Sequence, residues 1–129
     1  GLLLIDLDRF KTINDHYGHL AGDLALRAVA QEVQAAAAAC DLPCRLGGDE
    51  FALLAQVRNA EELRDRAAAI TVGVRALRFS APTDGLQVSV SIGGSLCPEH
   101  ADWSAWYSDA DCALYLVKGE GGDNYRVIA

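Results

Sequence analysis

Two short strand-like runs, residues 44–46 and 51–55, are separated only by Gly47-Gly48-Asp49-Glu50. Strands joined by so few residues cannot run parallel, because a parallel return needs a crossover of a dozen residues or more. A Gly-Gly pair between two such runs is a hairpin signal. An antiparallel pair is therefore required, which argues against a purely parallel, doubly wound sheet. The same stretch puts Asp49 and Glu50 side by side at a tight turn, where like charges repel. A solvated turn needs only one Asn or Asp. Two acids on a stiff hairpin point to a positive group that binds them.

The other elements follow from pattern. Residues 2–5 are continuously apolar and end in Asp6, as in a central strand covered on both faces. Residues 7–15 read as a loop or irregular turn. Asp23 reads as a helix N-cap region, with a helix over 24–39 rich in alanine. Asp41-Leu42-Pro43 stops it. Asn59 followed by Glu62 forms an N-cap and capping box, with Leu63, Ala67, Ile70, Val74 and Leu77 at helical spacing behind them. Residues 86–96 alternate as a strand, with Gly93-Gly94 as a bend. Asp102 caps a helix whose Trp103, Trp106, Ala110, Ala113 and Val117 share a face; its aromatic residues read as core. Residues 118–124 break that helix and 125–129 form a last strand. The expected fold is α+β: a mixed, mostly antiparallel sheet with helices packed on it.

Composition narrows the functional classes. The chain has 129 residues, 51% hydrophobic and 22% charged, which suits one domain, residues 1–129, with a buried core. No apolar run approaches the roughly 20 residues that cross a bilayer, and the first residues lack the basic leader of a signal peptide. A cytoplasmic domain, with the native protein extending upstream, is the expectation. The formal net charge of −7 argues against a general nucleic-acid or anionic-membrane binder. A polyphosphate ligand would then need a metal or a few placed cations. Cys40 and Cys44 lie four apart, but no second close pair follows at zinc spacing, so free, mostly buried thiols are expected.

If the hairpin pairs beside the first strand, its tip brings Asp49 and Glu50 near Asp6. Asp8 joins Asp6 on one face only if the strand continues. Acids gathered in this way suit Mg²⁺ or Mn²⁺, which leave positions open for water and phosphate oxygens. Two ions about 4 Å apart would make a site for phosphoryl or nucleotidyl transfer. Separate, solvated acids at loop ends fit the same spacing.

Residues 47–51, Gly-Gly-Asp-Glu-Phe, carry the signature of the GGDEF family of diguanylate cyclases. Residues 2–30 resemble that family's D-x-D-x-F-K-x-x-N-D-x-x-G-H-x-x-G-D segment at nearly every fixed position. Residues 88–95 and 110–124 are similar to its later blocks. The resemblance implies a βαββαβ core like the palm of nucleotide cyclases and polymerases. It implies condensation of two GTP into cyclic di-GMP and two pyrophosphates, with two Mg²⁺ or Mn²⁺ ions per site. Carried over by position, Asp6, the Leu7 carbonyl, Asp49 and Glu50 would hold metal, and Asp49 would help activate the ribose 3′-hydroxyl. Gly47 and Gly48 would admit the nucleotide to the backbone. Asn14 and Asp23 would read guanine, with His19 nearby. Backbone amides near Arg9 to Lys11, Phe10 among them, and the Lys118 ammonium would hold the outer phosphates. Turnover would need a second GGDEF domain in a two-fold dimer, and a sensor or receiver domain is expected upstream. A catalytically weak GTP-binding module is the alternative. Another palm-fold nucleotidyl transferase or cyclase, with a different base contact, is a third.

Three departures from the family pattern stand out. Its inhibitory product site, Arg-x-x-Asp, is degenerate: Asp41 is present but Ala38 replaces the arginine. In the late block, Gly122 or Asp123 falls where an arginine is common. The helix that usually precedes the first strand, bearing D-x-L-T-G-L-x-N-R, is not in this sequence.

Overall fold

A computed structural model describes residues 1–100 and 102–129. The elements are β1 (Leu2–Leu7), α1 (Phe10–Tyr17), α2 (His19–Ala36), β2 (Leu42–Gly47), β3 (Glu50–Leu54), α3 (Ala60–Arg75), β4 (Val90–Ser95), α4 (Trp103–Gly119) and β5 (Asn124–Ile128). The five strands form one sheet in the order β2-β3-β1-β4-β5. The β2–β3, β3–β1 and β1–β4 pairs are antiparallel. The β4–β5 pair is parallel, with α4 as its crossover. The mixed, mostly antiparallel α+β expectation holds.

β1 is the middle strand and all six of its residues are buried. Side chains alternate across a strand. Leu3, Ile5 and Leu7 enter the larger core with Val29 and Val33 of α2 and Leu63, Ile70 and Val74 of α3. Leu2 and Leu4 enter a smaller core with Ala110 and Leu114 of α4. Asp6 continues this second series and meets α4. A central strand thus delivers one carboxylate to the end of the sheet, with the core anchoring it on both faces.

Several local expectations are corrected. Residues 10–17 are helix α1 rather than loop: Phe10, Ile13 and Tyr17 recur at helical spacing, and Ile13 is buried against the larger core. α2 starts at His19, four residues before Asp23, with Gly18 as its N-cap, and it ends at Ala36. Leu77 lies beyond the end of α3 but packs on the core. β4 begins at Val90, not 86, because β1 stops at Leu7, the partner of Val90. Gly93 and Gly94 sit within β4 and make no bend. A Cβ on Gly93 would run into the backbone of Ala110 and Leu114, so this glycine lets α4 lie close on the sheet. Trp103 is 55% exposed rather than core. Trp106 is half-buried and its Nε1 donates to the Ser95 carbonyl at 3.0 Å. Cys40, Cys97 and Cys112 are exposed and Cys44 half-buried; all are free. The caps match their reading: Glu62 N–H donates to Asn59 Oδ1 at 2.9 Å and Ala105 N–H to Asp102 Oδ1 at 2.8 Å. The Glu62 carboxylate reaches back to the amide of Arg58, one residue before the cap.

Candidate active site

The hairpin tip sits against the end of β1. Gly47 (φ 139°) and Gly48 (φ 49°) turn the chain through a conformation that L side chains rarely adopt. Arg45 Nη2 donates to the Gly48 carbonyl at 2.6 Å and steadies the turn. Register places Glu50 opposite Asp6. One step on, the Leu7 amide donates to the Asp49 carbonyl at 3.2 Å. The two acid-bearing segments, distant in sequence, are joined as the hairpin argument requires.

Asp6 is 5% exposed. Its Oδ2 contacts Lys118 Nζ from the last turn of α4. Its Oδ1 is buried and without a hydrogen-bond partner, an arrangement that normally costs about 1–3 kcal/mol. Burial pushes the Asp6 carboxyl up to about 6; Lys118 opposes the rise and the nearby Asp49 charge adds to it. Burial alone would lower the Lys118 ammonium, but Asp6, with Asp49 and Glu50 behind it, raises it above its ordinary value. Two carboxylates that strain against each other around one ammonium form a cation-seeking site. Lys118 is 46% exposed, so it has room to move.

These residues open onto a cleft of about 490 Å³ lined by Asp6, Leu7, Phe10, Lys11, Asp49 and Lys118, among others. Nothing lies within 4 Å of a Cβ built on Gly47 or Gly48, so their hydrogen-only flank faces open space. A divalent ion fits the donor set at Asp6, whose spare oxygen has no other partner. Among the described residues, however, no three His, Cys, Asp or Glu side chains converge into a ready metal-binding group. Glu50 is exposed beside Leu46, Tyr107 and Asp111. Asp8 is otherwise engaged: Ser89 Oγ and Ser91 Oγ donate to it at 2.6 and 2.5 Å, and the Asp123 amide at 2.8 Å. It ties the ends of β1 and β4 to the start of β5, because β1 does not continue to it.

Asn14 is half-buried on α1 and Asp23 is exposed on α2. Gly22 links them: a Cβ there would fall on Asn14 Oδ1, so the glycine makes the space that the amide occupies. His19 is exposed at the first turn of α2. Sequence reasoning singled out neither Gly22 nor the serines that hold Asp8. The alternation of Ser89 and Ser91 with Val88, Val90 and Ile92 was the available signal for the serines.

The chain matches the family described as "Diguanylate cyclase, GGDEF domain" over residues 1–124. It is 43% identical over 132 residues to diguanylate cyclase TpbB of Pseudomonas aeruginosa, covering 98% of this chain and 30% of that protein. It thus spans under a third of that relative's length. The cyclic di-GMP phosphodiesterase PdeR of Escherichia coli is 39% identical, over 95% of this chain and 18% of its own. The crystal structure of the GGDEF domain of PA1120 (YfiN or TpbB) from Pseudomonas aeruginosa superimposes with a TM-score of 0.87 at 39% identity, covering 99% of this chain and 81% of that one. Diguanylate cyclases of this kind depend in general on divalent metal. The Asp6–Asp49–Lys118 cluster at the end of a β2-β3-β1-β4-β5 sheet, the match over nearly all of the chain and the shared fold agree, and the chain belongs to the GGDEF domain family.

Proposed function

We propose that this chain is the catalytic domain of a diguanylate cyclase, joining two GTP into cyclic di-GMP with release of two pyrophosphates. One observation carries the reading: a buried Asp6 with an orphaned oxygen, held by Lys118 and pressed by Asp49 across the hairpin tip. Two Mg²⁺ or Mn²⁺ ions, held by Asp6, the Leu7 carbonyl, Asp49 and Glu50, would polarise the α-phosphate and acidify the ribose 3′-hydroxyl. Asp49 would also help activate that hydroxyl. Lys118 then leaves Asp6 for the phosphates, since the same ammonium cannot serve both with full strength. Phe10 and Lys11 line the same cleft, and their amides would hold the outer phosphates. Gly47 and Gly48 let the nucleotide lie on bare backbone. Asn14 and Asp23 read guanine: Asp23 accepts from the N1–H and N2–H₂ donors that adenine lacks. His19 borders that pocket.

One domain binds one GTP. Two cross-linked phosphodiesters therefore require two domains face to face, which a two-fold dimer supplies. An upstream sensor or receiver domain would bring them together.

A second reading is a GTP-binding regulatory module without turnover. Gly122 or Asp123 in place of the late arginine favours it, as does the relative named a phosphodiesterase. Calorimetric titration with GTP and ATP in Mg²⁺ tests the base assignment common to both. GTP should bind at least about tenfold tighter than ATP, and Asn14→Ala with Asp23→Ala should erase the difference, since an unpaired buried donor or acceptor costs over about 1 kcal/mol. Equal affinity in the parent chain contradicts the assignment.

A further inference from the structure

A second cleft, of about 780 Å³, lies between α1, the end of α3 and residues 85–89. It meets the first at Asp8, Arg9 and Gly121, which line both. The chain is acidic, with eleven Lys and Arg against eighteen Asp and Glu, yet Arg9, Arg75 and Arg78 all open onto this one space, with His16 beside them. Its acids are already engaged. Asp123 accepts from Arg75 Nε at 2.9 and 3.0 Å, and Asp8 from two serine hydroxyls and an amide. Two arginines are not. Arg9 enters none of the ion pairs among the described residues. Arg78 uses Nη1 on the carbonyls of Arg75 and Leu77, at 3.2 and 2.9 Å, and has no acid partner among the described residues. Arg9 is also held at φ 54°, ψ 37° where the two clefts join. That conformation is costly for a residue with a Cβ, and such cost collects at functional positions.

We propose that this cleft is a diphosphate site, with Arg9 and Arg78 as its binding groups. The inference rests on the function proposed above, in which pyrophosphate is released in the first cleft, which this one meets at Asp8, Arg9 and Gly121. Guanidinium forks match phosphate oxygens in geometry and charge. The apolar wall of Ile13, Leu86 and Val88 reduces solvent screening of those contacts. Arg75 contributes indirectly: by pairing with Asp123 it neutralises the acid that would repel an anion here. The ligand is released pyrophosphate; the outer phosphates of the bound triphosphate stay in the first cleft.

Inorganic pyrophosphate titrated into the intact chain in EDTA, by calorimetry, tests this without activity and without metal at Asp6. Saturable binding is expected, tighter than for orthophosphate. Arg78→Gln and, independently, Gln87→Glu on the cleft wall should each weaken it about tenfold or more, the worth of one charge-assisted contact, with melting temperatures showing that both variants fold. A non-hydrolysable GTP analogue then separates the sources. Pyrophosphate that still binds beside the analogue supports a product site separate from the nucleotide; pyrophosphate fully displaced by it occupies the first cleft and overturns the inference. Binding that does not saturate, or that both folded variants retain in full, overturns the inference. If the analogue with Mg²⁺ binds while pyrophosphate does not, this inference alone falls. If the analogue does not bind either, the proposed function falls with it.

Discussion

Asp6 and Lys118 are separated by 112 positions in the chain and touch in the fold, one at the end of the central strand and the other in the last turn of α4. Their contact satisfies only one carboxylate oxygen of Asp6 and leaves the other buried without a partner. The site thus holds more negative than positive charge and one unpartnered oxygen, and a cation at Asp6 would free Lys118 for a phosphate.

Mg²⁺ should therefore stabilise the chain through Asp6. A rise in melting temperature on adding millimolar Mg²⁺ is expected, absent in Asp6→Asn. Lys118→Met should lower stability by about 1 kcal/mol without metal, a modest figure because the ammonium is half-exposed, and should enlarge the Mg²⁺ effect. Thermal melts with and without Mg²⁺ measure both; a metal effect that persists in Asp6→Asn contradicts the assignment.

Gly93→Ala should be strongly destabilising, by roughly 3 kcal/mol or more, because its methyl group meets the backbone of α4 rather than a side chain that can turn away. Gly119→Ala, where nothing lies within 4 Å of the added carbon, is the control and should change little. Urea unfolding of the two variants checks the contrast.

Gly22→Ala should act on the base pocket more than on the fold. The methyl group displaces Asn14, so the preference for GTP over ATP should shrink while melting falls only slightly. Unchanged discrimination would show that the position of Asn14 does not matter to guanine.

Asp41 bears on feedback. Burial pushes its carboxyl up, but the amides of Ala38 and Gln56, at 2.8 and 2.9 Å, and Arg66 Nε, at 2.9 Å, outweigh that and hold it below the ordinary 3.8. A depressed acid pKa stabilises the fold above the unfolded value and loses that contribution as pH falls through the folded one. Asp41→Asn should thus be less stable than the parent at neutral pH, by about 1–2 kcal/mol. The gap should close below about pH 4. The same three donors occupy the carboxylate that a product would need, and Ala38 offers no guanidinium. Added cyclic di-GMP should show no binding that depends on Asp41; micromolar binding lost in the Asp41 variant would refute this.

Where local pattern and tertiary need agreed, the sequence was readable. The apolar run from Leu2 to Ile5 announced a central strand, and Gly47-Gly48 announced the hairpin that pairs with it. Asn59 and Asp102 marked two helix starts correctly. Where a long-range contact chose the residue, it was not. Gly18 and Gly22 look like loop punctuation, yet Gly22 lies inside α2 because Asn14 of another helix needs its space. Gly93 looks like a bend, yet its reason lies in α4, in the backbone of Ala110 and Leu114. Asp8 resembles Asp6 in sequence, but β1 ends between them, and two serines from beyond residue 88 bind it. The resemblance pointed to the amides near Arg9 but not to its left-handed backbone, which is set by the turn between β1 and α1.

Turnover tests the central claim most directly. The chain fused to a dimerising coiled coil, given GTP and Mg²⁺, should yield cyclic di-GMP and pyrophosphate in a one-to-two ratio by chromatography and phosphate assay, and Asp49→Asn in the same fusion should yield neither. GTP bound by a folded, dimeric fusion but left unchanged would contradict the cyclase reading and leave the regulatory module in its place.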